Sequence, residues 1–124
     1  MRLEGKTAIV TGGASGFGAG IVRKFVSEGA QVMIADLNTD MAEELRQEMG
    51  AHAIVCTVNV ADGASVAAMT AQASDTWGHI DILVNNAGIT HLPAPMETIA
   101  DEEFDRVFAV NCKSVYLTAR NIVP

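Results

Sequence analysis

Three glycines follow a short apolar run near the amino terminus, at a spacing that suits the binding of a phosphate group. The apolar run at 8–10 has the composition of a buried strand, and it leads into Thr-Gly-Gly-Ala-Ser-Gly-Phe-Gly at 11–18. Gly12, Gly16 and Gly18 lack a Cβ where the chain must turn sharply out of a strand and into a helix. The amino end of that helix would present unpaired N–H groups and a positive dipole end, which together favour an anion.

The gaps between these glycines narrow the choice of ligand. The pattern G-x-x-x-G-x-G has a longer first gap than the G-x-G-x-x-G dinucleotide loop. Gly18 is followed directly by Ala-Gly and not by Lys and then Ser or Thr, which disfavours a nucleoside triphosphate. The hydroxyls of Thr11 and Ser15 could stabilise the turn or reach a ligand. A tight turn that binds nothing is the alternative to a phosphate site.

A single carboxylate closes the second apolar run. Asp36 follows the run at 32–35 and lies 18 residues beyond Gly18. A carboxylate at the end of a second strand can accept hydrogen bonds from both ribose hydroxyls of an adenosine, and it would repel a 2′-phosphate. The glycines and Asp36 together therefore favour NAD over NADP. The alternative is that Asp36 only begins the turn-like segment Asp-Leu-Asn-Thr-Asp at 36–40.

Asparagines supply further candidates for contact with a ligand. The segment Asn-Asn-Ala-Gly at 85–88 follows an apolar strand, and open α/β sheets bind ligands at the carboxyl ends of their strands. Asn86 and Gly88 are the better candidates, whereas Asn85 could be purely structural. Farther along, Asn111 lies on an apolar helical stripe, where a buried amide must find a hydrogen-bond partner. That partner could be backbone, water or a reacting group.

The elements that must position these residues alternate along the chain. Short apolar runs separated by stretches of helical periodicity predict parallel strands joined by crossover helices. We therefore predict an α/β fold, a Rossmann-like doubly wound parallel sheet truncated after about four strands. The predicted strands are 7–11, 31–35, 53–58 and 80–84, and the predicted helices are 18–28, 40–49, 64–77 and 101–123. The predicted core faces of the first three helices are Ile21, Val22, Phe25 and Val26; Met41, Leu45 and Met49; and Val66, Met69, Ala73 and Trp77.

Composition limits the classes of function. The 124 residues suit one domain, and a hydrophobic fraction of 49% is enough for a packed core. The net charge of −7 argues against nucleic-acid binding, which usually needs a basic surface. No apolar run reaches the ~18 residues of a membrane helix, and no secretory leader is recognisable. Cys56 and Cys112 lie in apolar segments that indicate buried free thiols rather than a disulfide or a metal site. We expect a cytoplasmic protein with no metal.

Taken together, these motifs resemble those of the short-chain dehydrogenase/reductase family, in order and over nearly all of the chain. The resemblance implies a Rossmann domain that binds NAD(P) and transfers a hydride between an alcohol or carbonyl substrate and the nicotinamide. It implies that the pyrophosphate lies at the glycine loop and that Asn111 holds a water of the proton relay to the catalytic lysine. The implied cofactor-binding residues are Gly12, Ser15, Gly16, Phe17, Gly18, Asp36, Leu37, Asn59, Val60, Asn86, Ala87, Gly88 and Val110.

The chain departs from the family pattern in two ways. Asn59 stands where the family often has an aspartate beside the adenine, a mild change because an amide can still form a hydrogen bond. The larger departure is that the family's catalytic serine and Tyr-x-x-x-Lys pair do not occur in these 124 residues. Tyr116 with Arg120 does not replace that pair, because it lies only five residues beyond Asn111 and a guanidinium is not a lysine ammonium.

Two hypotheses follow from this pattern. In the first, the chain is the amino-terminal, cofactor-binding half (residues 1–124) of an NAD-dependent oxidoreductase that assembles as a dimer or tetramer. In the second, it is a non-catalytic nucleotide-binding or regulatory module that kept the Rossmann half. The substrate and the direction of the reaction stay open, because the residues that would select the substrate mostly follow position 124 in the family.

Overall fold

Strands and helices alternate in the computed structural model, which describes residues 2–86, 101, 102 and 122. The first and last residues of each described strand and of helices α1 to α3, listed below, lie within two residues of their predicted positions. Asp101, Glu102 and Ile122 are helical, and the rest of the predicted last helix lies outside the described residues. The strands are β1 (Thr7–Thr11), β2 (Gln31–Asp36), β3 (Ala53–Thr57) and β4 (Ile82–Val84); the helices are α1 (Gly16–Ser27), α2 (Thr39–Met49) and α3 (Gly63–Trp77), with a 3₁₀ turn at Gly50–His52.

The four strands form one parallel sheet in the order β3-β2-β1-β4. Ile9 in β1 is paired with Met33 of β2 on one side and with Leu83 of β4 on the other. Because β1 is interior and all strands point the same way, the carboxyl ends of β1, β2 and β4 meet at one edge. The predicted α/β, Rossmann-like architecture is therefore confirmed.

The core has one layer on each face of the sheet. Val22 of α1 and Leu45 of α2 pack with Val10 on one face, and Met69 of α3 packs with Ile9 on the other. This division follows from right-handed crossovers, since β1 to β2 to β3 runs in one direction across the sheet and β3 to β4 runs back. Each fully buried large side chain contributes about 1.5–3 kcal/mol of apolar burial.

The helix faces differ from the prediction in detail. Met41 is 40% exposed, whereas Ala42 in α2 is fully buried. Leu45 and Met49 pack in or against the core as predicted, but Ala42 takes the place of Met41, because an alanine lets the helix approach the sheet closely. In α1, Ile21 and Phe25 are only partly buried, and Val22 takes the centre of the core face.

Two further observations concern the helices and the cysteines. Among the described residues, no helix combines the length and apolar character needed to cross a bilayer. Cys56 is a free, buried thiol, as predicted, and burial raises its pKa. Cys112 lies outside the described residues.

A carboxylate fastens the amino end of β4 to β1. Asp81 Oδ2 accepts a hydrogen bond from the Thr7 N–H at 2.9 Å and lies 3.1 Å from His79 Nε2. The Thr7 hydroxyl donates to the His79 carbonyl at 2.9 Å. The Asp81 N–H also donates to the Thr7 carbonyl at 3.0 Å, while the Thr7 N–H bonds the Asp81 side chain. The strand β4 begins after this connection, at Ile82 rather than at the predicted Ile80.

We expect Asp81→Asn to lower the melting temperature at neutral pH and to leave it unchanged in acid. The Thr7 N–H first, and then the charges of His79 and Lys6, hold the pKa of Asp81 below its usual value. A lowered folded pKa stabilises the protein above the unfolded value of about 3.9, and this is lost as the pH falls through the folded value. Melting curves of both proteins from pH 7 downward test this, with Asp75→Asn on α3 as control. A deficit that persists unchanged below about pH 3 would contradict it.

Candidate dinucleotide-binding site

The glycine loop joins the carboxyl end of β1 to the start of α1. Gly12 and Gly16 have φ angles of 64° and 58°, in the left-handed region that favours glycine. The N–H groups of Gly12 and Gly13 both donate to the carbonyl of Ala35, at 2.8 and 3.4 Å. These bonds hold the loop against the end of β2, where the ligand of an open sheet would lie.

The amino end of α1 has the character of an anion site. The first intrahelical bond runs from the Ala19 N–H to the Ser15 carbonyl at 3.2 Å. In the described part of the chain, the N–H groups of Gly16, Phe17 and Gly18 have no hydrogen-bond partner, as expected for a first helical turn. The first turn contains no acidic residue, and the exposed Ser15 hydroxyl does not cap the helix. These groups are available to a phosphate.

A close approach between α1 and the glycine loop requires a glycine at position 18. A Cβ on Gly18 would overlap the carbonyl oxygen of Gly12 and would lie 2.7 Å from Nδ2 of Asn86. Both neighbours are themselves held in place, because Nδ2 of Asn86 donates to that same Gly12 carbonyl at 3.2 Å. The loop therefore packs against α1 at a distance that only glycine permits.

Thr11 links the loop to the end of β4. Its hydroxyl donates to the Val84 carbonyl at 3.1 Å and accepts from the Asn86 N–H at 3.0 Å. The side chain is 1% exposed, so of its two predicted roles the structure shows the stabilisation of the turn. Asn86 thus holds the glycine loop through both its backbone and its side chain, and its contact with a ligand stays a prediction.

Asp36 lies at the end of β2 and orders the segments around it. Its Oδ2 accepts from the Ala14 N–H at 3.0 Å, and its Oδ1 accepts from the Asn38 N–H at 2.9 Å. A carboxylate offers about four acceptor positions, so two are still available for a ligand. The predicted alternative roles of Asp36 are compatible, because the carboxylate begins the turn and also faces the glycine loop.

Asn59 and Val60, expected beside the adenine, and Leu37, expected elsewhere in the cofactor site, differ in how they could reach a ligand. Leu37 is 64% exposed, whereas Val60 is 6% exposed and packs in the core. Asn59 is exposed, but its Oδ1 already accepts from the Ala61 N–H at 3.0 Å. Contact through Leu37 and the Asn59 amide is therefore open, while Val60 could offer little more than its backbone.

The remaining predicted residues cannot be placed. Ala87, Gly88, Val110 and Asn111 lie outside the described residues, as does Tyr116. Among the residues that are described, no cluster of His, Cys, Asp and Glu could hold a metal ion. The described site thus consists of the loop, the amino end of α1, Asp36 and Asn86.

Several known proteins are similar to this chain. The chain is 46% identical over 111 residues to the sorbitol dehydrogenase of Cereibacter sphaeroides, covering 90% of the chain and 43% of that protein. It is 40% identical to the D-threitol dehydrogenase of Mycolicibacterium smegmatis, covering 98% of the chain and 48% of that protein. The crystal structure of the Brucella melitensis 3-ketoacyl-(acyl-carrier-protein) reductase complexed with NADH is 43% identical, with a TM-score of 0.96 over 98% of this chain and 50% of that one.

The matches cover almost all of this chain but only part of each relative. The chain spans about half the length of the relatives it matches, and it aligns along almost its entire length. The sequence profile of the short chain dehydrogenases matches residues 6–124, which include the glycine loop and Asp36. The chain therefore belongs to the short-chain dehydrogenase family of oxidoreductases.

Proposed function

We propose that residues 1–124 form the cofactor-binding half of an NAD-dependent dehydrogenase that acts on a small alcohol or carbonyl substrate. The observation that carries the proposal is the position of Asp36, whose carboxylate lies at the end of β2 and accepts from the Ala14 N–H of the glycine loop. A dinucleotide whose pyrophosphate is bound at the start of α1 would bring its adenosine ribose to this side of the loop.

The charges of the described residues support NAD over NADP. A 2′-phosphate would meet the negative charge of Asp36, and it would need a cation to offset that repulsion. The described cations of α1 and α2 are engaged: Arg23 with Glu48 at 2.7 Å, Lys24 with Glu28 at 3.3 Å and Arg46 with Glu43. The other described cations, Arg2 and Lys6, precede β1 and so lie toward the opposite edge of the sheet.

The residues present fit a bound NAD. The partnerless N–H groups at the start of α1 suit the pyrophosphate, and Asp36 has acceptor positions left for the ribose hydroxyls. Because Gly18 lies too close to Gly12 to carry a side chain, no side-chain bulk occupies this part of the loop. Bound NAD would supply the hydride acceptor. The chain would bind and orient it, with Leu37 and Asn59 beside the adenine and Asn86 fixing the loop.

The residues proposed for the catalytic side of the site, Val110 and Asn111, lie outside the described residues. Asn111 is proposed to hold a water of the proton relay, Asn86 and Gly88 to lie near the second ribose, and Val110 to border the nicotinamide. Ala87 is proposed as a further residue of the cofactor site. The 124 residues contain no Tyr-x-x-x-Lys, so the acid–base step would need residues beyond this sequence. We propose a homo-oligomeric cytoplasmic enzyme, and that the 124-residue chain alone binds NAD but does not turn over.

The second candidate is a nucleotide-binding or regulatory module without catalysis. The glycine loop and Asp36 would serve such a module equally well. The coding sequence after codon 124 separates the two candidates. A serine followed by Tyr-x-x-x-Lys supports the dehydrogenase, and a stop codon supports the module.

Calorimetry on the purified chain tests the choice of cofactor. We expect binding of NAD, and binding of NADP at least about tenfold weaker because a single unfavourable charge contact of about 1.4 kcal/mol has this effect. Incubation with NAD and sorbitol should produce no NADH. Absence of NAD binding by a folded chain, or a preference for NADP, would overturn the assignment of Asp36; NADH formation would overturn the inactivity of the chain alone.

A further inference from the structure

A groove between α1 and α2 begins beside the glycine loop. It encloses about 220 Å³, and the described residues that line it are Ala14, Arg23, Met41, Glu44, Leu45 and Glu48. Ala14 belongs to the loop, and its N–H donates to Asp36 Oδ2 at 3.0 Å. One end of this α1–α2 groove therefore lies next to the carboxylate that we assign to the adenosine ribose.

The α1–α2 groove borders the position that the 2′-phosphate of NADP would take. That phosphate is attached to the ribose that Asp36 is proposed to bind, so it would lie near the same end of the groove. The charge of Asp36 repels it, and the phosphate would therefore turn away from the carboxylate, toward the groove or the solvent. A cation that reached this end of the groove would then strengthen the binding of NADP.

Arg23 is the cation among the described residues that line the groove. It follows Ala19 by four residues and so lies on the same face of α1, one turn farther from the glycine loop. Side chains of an α-helix are tilted back toward its amino terminus, which favours a path for Arg23 past Ala19 toward the loop. Ala19 is 5% exposed and has only a methyl group, so it leaves this path open. Arg23 is therefore placed to extend along the groove toward a phosphate beside Ala14.

Glu48 holds the guanidinium of Arg23 at the other end of the groove. Nε of Arg23 lies 2.7 Å from Oε2 of Glu48. Glu48 lies about 13 Å along α2 from its first residue, Thr39, and so is far from the glycine loop. The two side chains are 54% and 52% exposed, and an ion pair this exposed is weak. The contact therefore occupies Arg23 in the present sequence, but a change at Glu48 would release it.

Glu44 provides a comparison within the same groove. It lies one turn nearer than Glu48 to the amino end of α2, and its side chain is exposed. Within residues 2–86, Glu44 has no ion-pair partner. It therefore contributes the same negative charge as Glu48 without holding Arg23.

We propose that Arg23 is a latent ligand for a 2′-phosphate and that Glu48 keeps it away from the ribose site. The Arg23–Glu48 pair is then a second determinant of the preference for NAD, in addition to Asp36. Asp36 repels the phosphate, and Glu48 withholds the cation that could offset this repulsion. The inference rests on the proposed function, since it requires that the dinucleotide binds at the glycine loop with its adenosine ribose beside Asp36.

Glu48→Gln in an Asp36→Asn background tests the proposal, because Asp36→Asn removes the direct repulsion of NADP. We expect Glu48→Gln to raise the affinity for NADP by about fivefold or more, since the released Arg23 would form charge-assisted hydrogen bonds with the phosphate. The affinity for NAD should stay unchanged. Glu44→Gln in the same background is the matched control. It removes the same charge but leaves the pair intact, so we expect a gain in NADP affinity below about twofold.

A third substitution shows whether the gain comes from Arg23 itself. Arg23→Gln, added to the protein with Asp36→Asn and Glu48→Gln, should return the NADP affinity to that of Asp36→Asn alone. Calorimetric titrations give the affinities, and melting curves establish that each variant is folded. No gain in Glu48→Gln, an equal gain in Glu44→Gln, or a gain that survives Arg23→Gln would overturn the proposal.

The two single variants of the glutamates give a second measurement that does not need Asp36→Asn to fold. With Asp36 present, we expect Glu48→Gln to bind NADP at least about twofold more tightly than Glu44→Gln does, while both still prefer NAD. Equal affinities for NADP in these two variants would contradict the role of Arg23. If NAD binds normally in every variant, such a result overturns this proposal alone. A folded parent chain that binds no NAD would instead overturn the proposed function, and this inference with it.

Discussion

Gly18→Ala is expected to abolish detectable NAD binding and to destabilise the fold by about 2 kcal/mol or more. The added Cβ would overlap the carbonyl oxygen of Gly12 and press on Nδ2 of Asn86. Overpacking usually costs about 1–3 kcal/mol, and here the obstacle is backbone rather than the tip of a flexible side chain. Relief requires the loop to leave α1, which moves the N–H groups that we assign to the pyrophosphate.

The same helix offers a matched control. In Gly20→Ala the added Cβ would meet nothing within 4 Å, and alanine favours a helix over glycine by about 1 kcal/mol. We expect this variant to bind NAD normally and to be as stable as the parent or more so. Melting curves and calorimetry on both variants make the comparison. If Gly18→Ala behaved like Gly20→Ala, the close approach of loop and helix would not exist.

Asp36→Asn is expected to shift the ratio of NAD to NADP affinity by about tenfold or more toward NADP. Hydrogen bonds from ribose hydroxyls to a charged acceptor contribute about 1.5–3 kcal/mol, and loss of the charge also removes repulsion of a 2′-phosphate. The amide also has only one acceptor oxygen, so either the Ala14 or the Asn38 N–H loses its partner. We therefore expect a lower melting temperature as well.

The ratio of NAD to NADP affinity distinguishes a loss of cofactor specificity from damage to the glycine loop. Disruption of the loop alone would weaken both dinucleotides alike and leave their ratio unchanged. Calorimetric titrations with NAD and NADP give both affinities, and Asp75→Asn on α3 controls for the change in net charge. An unchanged ratio in Asp36→Asn, with both affinities reduced, would show that Asp36 supports the loop without selecting the ribose.

Local pattern was sufficient to predict the elements of the sheet and the residues that end them. Apolar runs and glycines set the strands and turns, so Asp36 was correctly located at the end of β2 and the glycine loop after β1. On α2, Leu45 and Met49 were predicted correctly, but Met41 was predicted in the core where Ala42 is buried instead. Hydrophobicity favours methionine there, but the distance between helix and sheet favours the smaller side chain.

Contacts across the sheet could not be predicted in this way. The bond from the Ala14 N–H to Asp36 joins residues 22 apart, and that from Asn86 Nδ2 to the Gly12 carbonyl joins residues 74 apart. Each depends on which strands are neighbours. Val60, expected beside the adenine through the family resemblance, lies in the core at 6% exposure. Whether it reaches a ligand stays a prediction.

The amino-acid sequence by itself determined the α/β class, the order of the elements and the family to which the chain belongs. Hydrophobic periodicity and glycine spacing are local features of the sequence, and they can be read without knowledge of which strands are neighbours. Only the tertiary structure decided that Thr11 and Asn86 support the loop and that Asp81 fastens β4 to β1. These features depend on the strand order and on the handedness of the crossovers. They bring together residues whose separation along the chain carries no signal.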